Sequence, residues 1–409
     1  MIEWIILLLV VAGLAVLVIF GAESVFQKSS QKEEQEITGE QMRGGEAQTQ
    51  DATSADVQSQ DETDAGVQNQ DATSADVQSQ DETDAEAQNQ NAEEESGNVS
   101  DPVRTYTLSF AGDCTIGSLL EWQGTEPGDF QSVVGTNYAY PLSGVKPIFE
   151  ADDYTVVNLE GTFTTAEEAV DKPYRFKADP VYVQVLTEGS VEAVSASNNH
   201  SGDFLEDGIF ETLATLDGAG IQYARAGAPL IHKLDGGMLL GIVSYNTVEN
   251  RDGEDVWRAA VQRDIEACRE AGCDLIIGFM HWGTVEYLTE PEEWEVEFAH
   301  DMTEWGCDLI VGGHAHILQR MESYNDVPIF YSMGNFCYGG HLNPEDKDSV
   351  IVQAEYTWDS TSGKVSRSGL RVIPCQISSR ADTNDYCPTP CQKGSADYER
   401  ILDRLEWIY

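Results

Sequence analysis

The sequence predicts an α/β fold of layered, mixed sheets, carried behind a membrane helix and a disordered tether. Three observations predict it. From about residue 105 onward, runs of β-type residues alternate with helix-patterned runs, and the tail beyond 328 turns mostly β. Five strands end in a carboxylate, amide or imidazole, at Asp113, Glu160, Asn199, His281 and the pair His314 and His316. The first hundred residues carry one apolar run and an acidic repeat, with too little apolar material to build a core.

The apolar run is Trp4 to Gly21 (WIILLLVVAGLAVLVIFG). At the rise of a helix it reaches roughly 27 Å, enough to cross a bilayer with little tilt. No small-x-small cleavage site follows it, which favours a retained anchor over residues 1–21 against a cleaved signal peptide. Its amino end has Glu3 and no basic side chain, while Lys28 and Lys32 lie just beyond. A strict positive-inside count would keep the domain in the cytoplasm. Glu33, Glu34 and Glu36 are mixed with those lysines, so charge leaves the side open.

Residues 22–101 hold 21 acidic and 3 basic side chains, a net −18, with Phe26 as the sole aromatic. Within them QDATSADVQSQDETDAGVQN (50–69) recurs almost unchanged as QDATSADVQSQDETDAEAQN (70–89). A 20-residue period can mark a solenoid, but this unit has too few apolar groups to bury between stacked copies. Low hydropathy with like charge predicts an extended spacer instead.

Residues 102–409 are long enough for one well-buried domain. The whole chain stands at −49. A surface this acidic repels nucleic-acid backbones, so no nucleic-acid partner is expected. Eight cysteines are scattered through the domain. Cys387 and Cys391 (CPTPC), with Cys375 nearby, could form a local disulfide in an oxidising compartment. Cys268, Cys273 and Cys307 flank buried strands and read as packed thiols.

The pattern predicts strands at 105–111, 154–159, 191–197, 221–224, 229–234, 238–244, 274–279, 308–312, 328–333, 349–358 and 366–376. Helices are predicted at 144–150, 180–188, 206–218, 256–271, 291–304 and 395–407. Open α/β sheets place ligands at the carboxyl ends of strands, so the five strand ends converge on one pocket. Mixed O and N donors suit a borderline divalent metal better than Ca²⁺ or a thiolate zinc site. In Gly313-His314-Ala315-His316, alternate residues of a strand would send both imidazoles to one side. Singly, Asp113 and Glu160 are as good turn-capping residues as ligands, and His281 before Trp282 as good a packed residue. Their joint order outweighs each plain reading.

That order resembles a known family. Gly112-Asp113, Asn158-Leu159-Glu160, Asn198-Asn199-His200 with Asp203, His281-Trp282-Gly283 with Glu286-Tyr287, Gly313-His314-Ala315-His316, and Ser332-Met333-Gly334-Asn335-Phe336 are similar to the motifs of the CapA family. These are capsule (poly-γ-glutamate) synthesis proteins related to calcineurin-like metallophosphoesterases. The resemblance spans about 105–335. It implies a four-layer α-β-β-α metallophosphatase-like sandwich with two divalent metal ions, Mn, Zn or Fe. Asp113 and His316 would hold one metal, Asn199, His281 and His314 the other, and Glu160 would bridge them. His200 would act beside the attacked group, with Asn335 on the substrate. By residue type alone, Arg175 and Lys177 (YRFK) could supply cations for an anionic substrate, though an exposed basic pair on a loop is the plainer reading. Two departures from the metallophosphoesterase pattern stand out. Thr115 occupies the place of a usual imidazole, and Glu160 that of a bridging Asp.

Three functions compete. One is a metal-dependent hydrolase acting on a phosphorylated substrate or anionic polymer, held at the cell membrane by one span with its domain outside. Another is a non-catalytic subunit of a polymer synthase and exporter. The third is an envelope nucleotidase, which needs an aromatic clamp that Trp282 and Tyr287 would supply.

Overall fold

The computed structural model describes residues 102–248 and 253–405. The expected anchor (1–21) and tether (22–100, with 101) lie outside the described residues. Among those described, no helix is long and apolar enough to cross a membrane.

The chain opens with β1 (Val103–Cys114), β2 (Ser118–Leu119), α1 (Phe130–Val134), α2 (Lys146–Phe149), β3 (Tyr154–Leu159), β4 (Thr162–Phe163) and β5 (Phe176–Ala178). A 3₁₀ turn (Pro180–Val183) runs into α3 (Gln184–Glu188), followed by β6 (Ala193–Ser195) and α4 (Leu205–Ala219). Next come β7 (Gln222–Ala224), β8 (Leu230–Lys233), β9 (Leu239–Asn246), α5 (Glu254–Glu270), β10 (Leu275–His281), α6 (Glu293–Trp305) and β11 (Leu309–Gly313). The tail is β12 (Met321–Tyr324), β13 (Val327–Phe330), β14 (Asp348–Asp359), β15 (Lys364–Gln376), β16 (Thr389–Pro390) and α7 (Ala396–Arg404).

These strands form a seven-stranded sheet, β16-β15-β14-β1-β3-β6-β7, and a six-stranded sheet, β12-β13-β11-β10-β9-β8. A small third sheet is β2-β5-β4. Both large sheets are mixed. β1, β3, β6 and β7 run parallel and β14 antiparallel to β1. β9, β10, β11 and β13 run parallel, with antiparallel β8 and β12 at the edges.

Alternation along the strands assigns the layers. Leu108, Phe110 and Val156 of the first sheet meet Leu240, Ile242, Ile277, Phe279, Leu309 and Val311 of the second in one core. The intervening Val157 and Leu159 pack against Phe130, Leu186 and Leu216 from α1, α3 and α4. On the far side Ile276 and Ile310 pack against Trp257, Val261 and Ile265 of α5 and Phe298 of α6. The order is helix, sheet, sheet, helix. Each fully buried Ile, Leu or Phe contributes roughly 1.5–3 kcal/mol. A one-residue slip would turn a whole strand's set to the wrong face, so the register is strongly specified.

Most elements fall within a few residues of the sequence reading. β1 runs on to Cys114 through a bulge between Ala111 and Asp113, so Asp113 lies inside the strand rather than after it. β2, β4, β5, β12, β16 and α1 have no counterpart in the sequence reading, because pieces of two to five residues show no period. All eight cysteines are free thiols. Cys268, Cys273 and Cys307 are packed in the α5–α6 core. Cys387 and Cys391 do not pair: the Cys387 thiol lies 3.5 Å from Ser143 Oγ, while Cys391 N–H donates to the Pro374 carbonyl.

Candidate metal centre

The carboxyl ends of β1 and β3 in one sheet meet those of β10 and β11 in the other. They approach so closely that a Cβ on Gly313 would lie 2.3 Å from Asp113 Oδ1. Gly112 is equally constrained, since a Cβ there would sit 2.0 Å from the Gly334 carbonyl oxygen. Glycine at both places lets the two sheet ends close on one another.

Asp113 is fully buried. Its Oδ1 accepts from Asn158 Nδ2 (2.7 Å) and its Oδ2 from the His314 N–H (3.0 Å). Glu160, one residue past β3, accepts from Thr115 Oγ1 through Oε2 (3.2 Å). Thr115, standing where an imidazole is usual, therefore orients this carboxylate. Glu160 Oε1 lies 3.5 Å from His281 Nε2 and 4.0 Å from His316 Nε2, between the two imidazoles. His281 Nε2 also lies 2.9 Å from Asn199 Oδ1. The His281 and His314 rings stand edge to face with centroids 5.0 Å apart.

The Gly-His-x-His run reaches the site differently from the reading as a strand pair. β11 ends at Gly313, and His314 (φ 88°) and His316 (φ 58°) both take left-handed backbone in the turn that follows. Such φ values cost of order 1 kcal/mol each and persist where surrounding structure imposes them. Asn335 imposes the second: its Oδ1 accepts from His316 Nδ1 (2.8 Å) and its Nδ2 donates to the His316 carbonyl (3.1 Å). Both ends of that amide, expected on the substrate, meet His316.

Electrostatics follow from crowding ionisable groups in a dry space. Burial pushes the Glu160 carboxyl up to about 8, opposed by His316 and reinforced by Asp113. Burial also raises Asp113. His314 is drawn down to about 3 and His281 well below the usual range, first by burial and then by neighbouring imidazoles. Burial pulls His316 down as well, but Glu160, Asp113, Glu286 and the Asn335 bond outweigh it and its pKa ends raised.

Asp113, Glu160 and His316 offer ligand atoms all within 4.8 Å of one another. Glu160 Oε1 and His314 Nδ1 are buried with no hydrogen-bond partner among the described residues. Two orphaned polar atoms beside a carboxylate–imidazole cluster are what a divalent cation would satisfy. No thiolate competes, because burial pushes the adjacent Cys114 thiol up to about 12.

His200 stands beside this cluster, its Nδ1 2.9 Å from Asp203 Oδ2 and its ring 4.5 Å from that of Phe176. Burial lowers its pKa to about 4. The cations expected on substrate are engaged elsewhere: Arg175 pairs with Glu121, and Lys177 donates to the Ala166 carbonyl (2.6 Å) beneath the Phe204 ring. Trp282 cannot clamp a ligand, since it is buried in the core and donates to the Tyr331 carbonyl (2.7 Å). Tyr287 is 57% exposed, with its ring 6.0 Å from His316.

Sequence reasoning missed Asn158 and Asn198 as site residues. Asn158 binds Asp113 and lies 3.1 Å from His281 Nδ1, while Asn198 Nδ2 donates to Asn158 Oδ1 (3.1 Å) and the Leu159 carbonyl (2.7 Å). The available signal was a lone amide inside the buried run YTVVNL. Nothing in the sequence singled out Lys172, whose ammonium reaches Asp203 and the Asn199 carbonyl.

Comparison with known proteins places the chain. It is 27% identical over 333 residues to the PGA biosynthesis protein CapA of Bacillus subtilis (strain 168), covering 76% of this chain and 82% of that protein. It is 32% identical over 261 residues to a "probable polyglutamine synthesis accessory protein" of Mycobacterium tuberculosis (strain ATCC 25618 / H37Rv), covering 56% and 67%. Among solved structures, the calcineurin-like phosphoesterase YfkN from Bacillus subtilis superposes with a TM-score of 0.40 at 14% identity, over 74% of this chain and 99% of that one. The model of the bacterial capsule synthesis protein PGA_cap matches residues 107–339, the stretch that carries every strand end described above. The chain belongs to the PGA_cap family of bacterial capsule synthesis proteins.

Proposed function

We propose that this chain is a membrane-tethered protein of capsule polymer assembly whose domain carries a two-metal, hydrolase-type centre. The carrying observation is the pair of orphaned buried atoms, Glu160 Oε1 and His314 Nδ1, among Asp113, His281 and His316. Asp113 and His316 would hold one divalent ion, Asn199, His281 and His314 the second, with Glu160 between them; Mn, Zn and Fe suit this donor set. Held by these residues, such ions would supply Lewis-acid chemistry toward a phosphoryl or acyl group. His200 uses Nδ1 on Asp203 and keeps Nε2 for the reacting group. The names of two relatives, a PGA biosynthesis protein and a probable polyglutamine synthesis accessory protein, support work in the synthesis of such a polymer. Residues 1–21 would anchor the chain in the cell membrane, the acidic spacer holding the domain outside near other synthase or exporter subunits.

The test is metal content of the full-length, detergent-solubilised chain beside Asp113→Ala and His314→Ala, with a screen of phosphodiester and phosphomonoester hydrolysis. Close to two equivalents, reduced in both variants, with metal-dependent turnover, is the expected result. No bound metal after Mn²⁺ or Zn²⁺ supplementation would sink the proposal. Thr115, which uses its hydroxyl on Glu160 where an imidazole ligand is usual, favours a second reading. There the chain is a non-catalytic accessory subunit whose metals grip polymer carboxylates. Stoichiometric metal without turnover on any screened ester would select it.

A further inference from the structure

We propose that Lys172 is a positioning residue of this site. Its ammonium fixes the Asp203 carboxylate and the Asn199 turn, and through them holds His200 as the Nδ1–H tautomer with Nε2 left for the metal centre. The consequence for turnover rests on the function proposed above; the geometry does not.

Lys172 lies in the polar excursion between β4 and β5. That excursion, with the first residue of β5, is stitched to the turn after β6 at four points. Val170 N–H donates to the Asp203 carbonyl (2.9 Å), and Phe176 N–H to Asp203 Oδ2 (2.7 Å). Lys172 Nζ donates to the Asn199 carbonyl (2.8 Å) and lies 2.6 Å from Asp203 Oδ1. Asp203 is fully buried, and its Oδ2 already faces both Phe176 N–H and His200 Nδ1. Its Oδ1 has no hydrogen bond among the described residues, so the ammonium is what that oxygen meets. No other lysine or arginine among the described residues pairs with Asp203. A buried carboxylate that loses one of its charge partners turns to find another donor. Turning would release His200 Nδ1, since the hydrogen bond on one ring nitrogen decides which nitrogen carries the proton. The same ammonium holds the backbone of Asn199, whose side chain meets His281 Nε2 at 2.9 Å. Lys172 therefore sits behind two groups of the site without needing to touch substrate.

The experiment is two-bond ¹H–¹⁵N correlation on metal-free, full-length chain labelled at its seven histidines, with His200 assigned by its loss in His200→Gln. The wild type should show a protonated Nδ1 and a bare Nε2 at His200. Lys172→Met should give averaged or mixed tautomer shifts in a protein that still melts cooperatively, and Lys172→Arg should restore the wild-type pattern. Should Lys172→Met not fold, Lys172→Gln carries the same test. A single Nδ1–H tautomer in the uncharged variant would overturn the proposal. In the metal-loaded protein, Lys172→Met should lower kcat on the order of 10–100-fold with little change in KM, as loss of an outer orienting partner does. A tautomer that responds in a protein without metal or turnover would remove the hydrolase reading and leave Lys172 in place. Turnover with an unresponsive tautomer would do the reverse.

Discussion

Strand β3 has carboxyl groups at both ends, and the two ends use them differently. Before its amino end, burial pushes Asp152 up to about 6, and Glu192, just before the neighbouring β6, to about 7. Asp152 accepts from Thr155 Oγ1 (2.8 Å) and Glu192 from Thr155 N–H (2.7 Å). The second sheet repeats the pattern, with Asp308 accepting from Ile276 N–H and Asp274 from Leu239 N–H, both at 2.8 Å. Past the carboxyl end, Glu160 is pushed to about 8; its Oε2 finds one hydroxyl, while its Oε1 faces two imidazoles without a hydrogen bond. The amino ends of strands present N–H groups that a carboxylate can accept from; the carboxyl ends present carbonyls, which it cannot. Burial raises carboxyl pKa values at either end. Past the carboxyl end of β3, where strand N–H donors run out, Glu160 turns to imidazoles and, by our reading, to a cation.

Three substitutions probe this contrast. The largest effect is expected from Gly313→Ala. Its methyl would displace Asp113 from the bonds of Asn158 and His314, so metal affinity should fall on the order of 100-fold or more in calorimetric titration. An unchanged affinity would mean that the close meeting of the two sheets does not shape the site. Asn335→Ala frees His316 Nδ1 without touching a ligand, and should weaken metal binding roughly 10–100-fold. An identical loss in Asn335→Asp would point to a role other than accepting from Nδ1. The smallest effect belongs to Glu192→Gln at the other end. Glu192 binds protons more tightly folded than unfolded, so stability is greatest below its unfolded pKa and declines as pH rises through about 7. Denaturant midpoints of metal-free wild type should fall over that window, and Glu192→Gln should flatten the fall by no more than about 1 kcal/mol, because solvent screens a part-exposed carboxyl. Metal content should not change. A variant that alters metal binding would break the separation of the two ends.

Much of this was legible in the residues. The mixed α/β architecture followed from alternating periods, and the strand-end side chains Asp113, Glu160, Asn199, His281, His314 and His316 followed from polar groups placed after apolar runs. What stayed hidden was local. Left-handed backbone at His314 and His316 carries no compositional mark, and a bulge before Asp113 is invisible when a strand is read as uniform. Arg175 and Lys177 drew attention as cations by type alone. Which lysine serves the site depends on where the loop folds back, and it folds back at Lys172.

The sequence alone determined the alternation of strands and helices and hence an α/β class, because burial imposes a period of two on strands and 3.6 on helices, and those periods are written residue by residue. Tertiary structure alone decided which atoms meet. The approach of Gly313 to Asp113, the hold of Asn335 on His316 and the reach of Lys172 to Asp203 join residues 200, 19 and 31 positions apart. Contacts over such separations are set by how two sheets pack, and no local pattern along the chain encodes that packing.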